Sequence, residues 1–223
     1  MSRSEDPDNS TKTSGSPKNI KAETADKSPR AQSRPIKIPK KITETYLHNA
    51  ALYYLQRFAA SSAQFRKVMQ RKIDLSCRHH TDQNPEDCQT LLDKLVARFQ
   101  ENGLLNDGTY ARGMVITLRR RGISERAIFM KLQNKGLSEG QIKDALEDFN
   151  AENDTNTAES EYRAALKLAR KKRVGPYAVA EFEYDRALSA FARAGFSFDV
   201  ARRVLGMSAE DLNDDPDNAE HSG

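Results

Sequence analysis

The chain has 223 residues, 37% apolar and 30% charged, a balance that suits a solvated helical protein with a thin core better than a compact enzyme. Its 36 Lys and Arg against 32 Asp and Glu, with an isoelectric point near 9.0, favour a polyanionic partner, nucleic acid first. It holds neither a long apolar run nor an apolar N-terminal stretch, so neither a membrane span nor a secretory leader is expected, and two cysteines do not make a disulfide framework.

Residues 1–41 are rich in Ser, Thr, Lys, Asp and Pro and poor in large apolar side chains, so they read as a disordered tail unable to offset its ordering entropy. Thr43 or Thr45 can cap a first helix with the stripe Ala50, Ala51, Tyr54, Leu55 and Phe58. Ser61 and Gln64 open a second helix carrying Phe65, Val68, Met69 and Ile73, after which Asp74 to Asn84 reads as polar and irregular. Asn84 followed by Pro85, Glu86 and Asp87 is a strong helix start, with proline at the first position and acids near the positive end of the dipole. Cys88, Leu91, Leu92, Leu95, Val96 and Phe99 form that helix's apolar face until Gly103.

From Gly103 to Leu146 the chain reads as three short helices separated by Gly122-Ile123-Ser124 and Gly136-Leu137-Ser138. In each, a helix-ending Gly precedes a buried apolar residue and an N-cap Ser, and Ser138 with Gln141 makes a capping box. Tyr110, Ala111, Met114, Val115 and Leu118 line the first helix, Ile128, Phe129 and Leu132 the second, and Ile142, Ala145, Leu146 and Phe149 the third. After a polar linker, Tyr162, Ala165, Leu166 and Ala169 lie on one helix that Gly175-Pro176 ends. A long helix from about Tyr177 to Ala194 and a last one after Ser197 complete the set.

The pattern recurs. Gly195, Phe196, Ser197, Ala201, Val204 and Leu205 follow Gly136, Leu137, Ser138, Ile142, Ala145 and Leu146 at an offset of 59 residues. Leu55, Ser61, Phe65, Met69 and Lys72 precede Leu118, Ser124, Ile128, Leu132 and Lys135 at an offset of 63. The expected fold is all-α, with three tandem three-helix, helix-turn-helix-like repeats in an elongated, curved molecule. The expected boundaries are 42–107, 108–150 and 158–208, with a linker at 151–157 and an acidic disordered tail at 209–223.

Catalytic material is scarce. Four His leave little for a Ser-His-Asp or Cys-His arrangement, and the glycines fall singly at helix ends, so no enzyme, catalytic residue or cofactor is expected. Cys77, His79, His80 and Cys88 invite zinc, yet Cys88 falls on an apolar helix face and the spacing is wrong, so no metal is expected either. Two basic clusters remain, Arg119-Arg120-Arg121 and Arg170-Lys171-Lys172-Arg173, each ending the first helix of a repeat. Dipole compensation does not need three or four cations in a row, so these clusters, extended by Arg66, Lys67, Arg71 and Lys72, read as a stripe for a partner or nucleic acid.

Gly103-Leu104-Leu105-Asn106-Asp107 with Tyr110-Ala111, Arg121-Gly122-Ile123-Ser124, Lys131-Leu132 through Lys135-Gly136, Gly175-Pro176 and Gly195-Phe196-Ser197 together resemble the RecX family over about 160 residues. The sequence departs from the family pattern at Ile73, where a Gly is usual. The resemblance implies a non-enzymatic, cytoplasmic, monomeric modulator that lies in the groove of the RecA filament on single-stranded DNA. It implies suppression of ATP hydrolysis, strand exchange and co-protease activity, and so regulation of DNA repair and the SOS response. A stand-alone helical DNA-binding protein is the alternative reading.

Overall fold

The computed structural model describes residues 38–212, and among them all regular structure is helical. Of the expected tails at 1–41 and 209–223, residues 1–37 and 213–223 lie outside the described residues. The helices fall into three groups of three, each closed around its own apolar core. Helices α1 (Glu44–Leu55), α2 (Ser62–His79) and α3 (Pro85–Glu101) bury Leu47, Ala51, Phe65, Met69, Leu92 and Phe99. Helices α4 (Asp107–Arg120), α5 (Glu125–Gln133) and α6 (Glu139–Glu152) bury Ala111, Val115, Ile128, Leu132, Ile142 and Ala145. Helices α7 (Thr157–Lys172), α8 (Tyr184–Arg193) and α9 (Phe198–Leu205) bury Ala165, Ala169, Phe191, Ala201 and Val204.

Short helices are marginal alone, so their ends matter. Thr43, Ser61, Asn84, Asn106, Ser124, Ser138, Asn156 and Ser197 each accept a hydrogen bond from a backbone N–H of the helix they precede, whereas α8 starts at Glu183 without a side-chain cap. At Ser138 the box is complete: its Oγ accepts from Gln141 N and the Gln141 side chain accepts from Ser138 N. Ser138→Ala removes half of this box on an exposed surface and is expected to cost about 1 kcal/mol, read as a drop of about 2–4 °C in a thermal melt.

Three segments differ from the sequence reading. Helix α2 does not stop near Asp74; with the fully buried Ile73 where a glycine would end it, the helix runs on to His79. The expected long helix from Tyr177 is instead a 3-10 turn (Gly175–Tyr177), an irregular stretch and the shorter α8. Tyr177 and Phe182 both pack on the third core, and on one helix positions five apart would point about 140° from each other. Helices α6 and α7 run into both ends of the expected linker, leaving 153–156 between them.

The last residues of the expected N-terminal tail are tied down. Gln83 clamps Ile42 from both sides, its Oε1 accepting from Ile42 N at 3.0 Å and its Nε2 donating to Ile42 O at 2.9 Å. The Ser76 hydroxyl donates to Lys40 O at 2.8 Å, a His80 ring nitrogen lies 2.7 Å from Pro39 O, and Lys41 pairs with Asp82. At the other end, Leu212 is buried against the third core.

The three groups are joined by one device used twice. Ser61 Oγ, while capping α2, donates to Lys135 O at the end of α5, at 2.5 Å; Ser124 Oγ, while capping α5, donates to Ala194 O at the end of α8, at 2.6 Å. Beside each, the first N–H of the helix donates to an acid of the following group: Ser62 N to Asp107 Oδ1 at 2.7 Å, and Glu125 N to Glu161 Oε2 at 2.8 Å. Each junction thus satisfies helix-end groups that would otherwise be orphaned.

Candidate functional site

The basic residues singled out in the sequence do not share one environment. Arg119 is not part of an exposed stripe, which corrects the sequence reading. Its side chain is 2% exposed; Nη1 donates to Glu161 Oε2 at 2.7 Å and Nη2 to Glu125 Oε2 at 3.1 Å. Arg119 follows Ala111 and Val115 at steps of four on α4, so it continues that helix's buried row where α4 meets α7. Two nearby carboxylates make that burial tolerable, because a buried charge must be paired. Arg119 is a bolt between the second and third groups.

Its neighbours Arg120 and Arg121 are exposed. The chain then turns at Gly122, where a Cβ would lie 2.9 Å from Ala164 O and 2.9 Å from Lys167 Cβ, so only glycine permits so close an approach of this turn to α7. Lys167 is exposed, and Arg170 and Lys171 follow it at three and four positions, one helical turn or about 6 Å along α7. The structure therefore brings the two sequence clusters to one place. Arg120 and Arg121 from α4 and Lys167, Arg170 and Lys171 from α7 lie beside the same joint, with Lys172 and Arg173 exposed just beyond. Lys167 escaped the sequence reading because it stands apart from the Arg170 run, and only the packing of Gly122 reveals its place.

The first group contributes less. Arg66 is half-buried and paired with Asp93 of α3, whose carboxyl it holds below the usual aspartate range. Lys67 and Arg71 are exposed, and Lys72 is half-buried. Around α1 a different surface appears. Tyr53 is exposed with the Arg57 guanidinium 4.1 Å from its ring centre, and exposed Phe58 packs at 5.4 Å on Tyr54. Phe58, Leu55, Leu104, Tyr110 and Met114 border a cleft of about 420 Å³ whose lining holds no carboxylate. Helical periodicity assigns Tyr54 and Phe58 to the core, and only the early end of α1 leaves Phe58 outside it.

No helix among the described residues is long and apolar enough to cross a membrane, and no cluster of three metal-ligating side chains occurs among them. No protein-family model matches the chain. The chain is similar to Regulatory protein RecX of Myxococcus xanthus strain DK1622, 40% identical over 173 residues that cover 76% of this chain and 89% of that one. It is also similar to Regulatory protein RecX of Agrobacterium fabrum strain C58, 31% identical, covering 76% of this chain and 87% of the relative. Among solved structures, a crystal structure of RecX from Lactobacillus salivarius aligns with a TM-score of 0.53 at 18% identity, covering 73% of this chain and 94% of that one. A crystal structure of regulatory protein RecX aligns with a TM-score of 0.51 at 21% identity, covering 72% and 70% of the two chains. These two likenesses share the all-helical fold.

Proposed function

We propose, from the premise that this chain belongs to the RecX family of regulatory proteins, that it regulates the RecA recombinase without catalysis. In this reading it binds the RecA filament on single-stranded DNA along the groove and inhibits ATP hydrolysis, strand exchange and co-protease activity. The observation that carries the reading is the convergence of Arg120, Arg121, Lys167, Arg170 and Lys171 at one joint between α4 and α7. Five cations from two helices exceed what two helix dipoles require. Such a cluster suits phosphates and the acids of a protein polymer alike.

The test is single-stranded-DNA-dependent ATP hydrolysis by the cognate RecA, with this protein titrated below one copy per recombinase monomer. Wild type is expected to inhibit well below equivalence. Arg120→Glu/Arg121→Glu is expected to melt like wild type and to need at least about tenfold more protein for the same inhibition at low salt, as the loss of roughly one charge-assisted contact implies. Equal inhibition by the variant would remove the cluster from the interface.

A second reading, direct binding of single-stranded DNA, is favoured by exposed Tyr53 under Arg57 and by exposed Phe58, since unpaired bases stack on such surfaces. It predicts tight binding to an oligonucleotide without RecA. In that case Arg120→Ala/Arg121→Ala lowers the salt slope by about 1.4, at roughly 0.7 per phosphate contact on a single strand.

A further inference from the structure

The sulfurs of Cys77 and Cys88 lie 4.0 Å apart, both as free thiols, one in the last turn of α2 and the other in the first turn of α3. We propose that this pair is an oxidant-responsive modification site that forms a reversible intrachain disulfide. The two cysteines are divided in labour by their surroundings. Cys77 is half-buried and borders an open cleft of about 430 Å³, together with Gln70, Asp74, Arg78 and Pro85, through which a small peroxide reaches it. Cys88 is buried among Leu92 and its neighbours in the first core. Burial pushes its thiol up to about 11, and the adjacent Cys77 adds to this, so Cys88 stays protonated and shielded until its neighbour reacts.

The chemistry balances with a hydroperoxide as the oxidant. Cys77 loses its proton, its sulfur attacks a peroxide oxygen, the O–O bond breaks, and with hydrogen peroxide the departing hydroxide takes up the proton as water. Cys88 then gives up its proton and attacks the Cys77 sulfenic sulfur; the S–S bond forms, the S–O bond breaks, and a second water leaves. Two thiols are oxidised by two electrons and one peroxide is reduced. A bond length near 2.05 Å requires the sulfurs to close by about 2 Å, a movement that the end of α2 and the connection after it can absorb.

The bond would matter for what surrounds it. The connection it bridges carries His80, Asp82 and Gln83, which together with Ser76 of α2, beside Cys77, hold residues 39–42. Oxidation would therefore staple the seat on which the N-terminal segment is anchored, and reduction by a dithiol would release it.

The experiment treats the full-length reduced protein with hydrogen peroxide, quenches free thiols with an alkylating reagent, and maps peptides by mass. The expected product is monomeric, has lost two hydrogens, retains no alkylatable thiol and yields a linked Cys77–Cys88 peptide. It melts about 5 °C above the reduced form, and dithiothreitol reverses the change. Disulfide formation is expected to speed up as pH rises toward the Cys88 value. Cys88→Ala should stop at an alkylation-resistant Cys77 sulfenic or sulfinic acid, and Cys77→Ser should leave Cys88 reduced. Two free thiols after treatment, a disulfide between chains, or a linked product that melts no higher than the reduced form would each overturn the proposal.

Discussion

Arg119→Met is expected to destabilise the protein by about 3 kcal/mol, a fall of roughly 6–12 °C in melting temperature, although the position lies in a run of three arginines. The side chain is 2% exposed and Glu161 is 16% exposed, so removing the cation leaves a carboxylate largely out of water with only the Glu125 backbone N–H to answer it. The cost of breaking such a pair comes mostly from the uncompensated partner. Arg119→Met/Glu161→Met, which removes both charges, is therefore expected to recover more than half of the loss despite carrying an extra substitution. Arg120→Ala/Arg121→Ala should stay within about 0.5 kcal/mol of wild type, because both side chains are in solvent. Differential scanning calorimetry on the four proteins decides the matter. A normal melt for Arg119→Met, or a double variant no better than the single, would mean that the buried network does not bolt the two groups together. Nor is Arg119→Met silent in function: if it loosens the α4–α7 joint, it separates Arg120 and Arg121 from Lys167, Arg170 and Lys171, and inhibition should fall without loss of any contacting cation.

How far the sequence discloses this arrangement depends on which physical signal carries each part. Helix type and most starts are legible because they rest on local chemistry: an N-cap side chain with its N–H partner, and an apolar stripe with a 3.6-residue period. Ends are less legible, since they depend on what the next residues find to pack against. The absence of glycine at position 73 is visible, but that the helix then continues to Cys77 and His79 follows from the first core having room for Ile73 and Ser76. The stretch before α8 is less legible: no Gly or Pro interrupts the sequence from Tyr177 to Ala194, yet Tyr177 and Phe182, on different faces of any one helix, reach a single core only because the backbone between them is irregular. Among the basic residues, charge alone treats Arg119, Arg120 and Arg121 alike. Only the row Ala111, Val115, Arg119 marks the first of them as inward, and its acid partners lie 6 and 42 residues away.

The junction device also accounts for two departures from regularity at the ends of the array. Carried back by the offset of 63, Gly136 falls on Ile73; carried forward by 59, Ser124 falls on Glu183, the uncapped start of α8. The serine is used where another group follows, and the glycine where another group precedes. The first group needs no glycine because no group precedes it among the described residues, so the position is free to carry a core isoleucine. The third needs no serine because nothing follows among the described residues. Terminal repeats that lack the joining features keep a stacked array finite.

The junction's tightness makes Gly136 the second sensitive position. Gly136→Ala is expected to cost about 2–4 kcal/mol, combining about 1–2 for an L-residue held left-handed with the overpacking of a close contact. Its φ is +81°, and a Cβ there would overlap the Cβ of Ala63 in α2, beside the Ser61 to Lys135 hydrogen bond. Gly103 provides the control, because its φ of +70° carries the same backbone strain while a Cβ meets nothing within 4 Å. Gly103→Ala should therefore show the backbone part alone, about 1–2 kcal/mol. The excess at Gly136 measures the contact between the first and second groups. Coupling to Ser61 separates this from local damage to α5: if the junction must open to admit the methyl group, Ser61→Ala will cost less in the Gly136→Ala background than in wild type, because the inter-group hydrogen bond is already weakened. Additive losses, or equal costs at Gly103 and Gly136, would mean that the two groups touch here without being locked. The cations at the α4–α7 joint would then be positioned by the second junction alone.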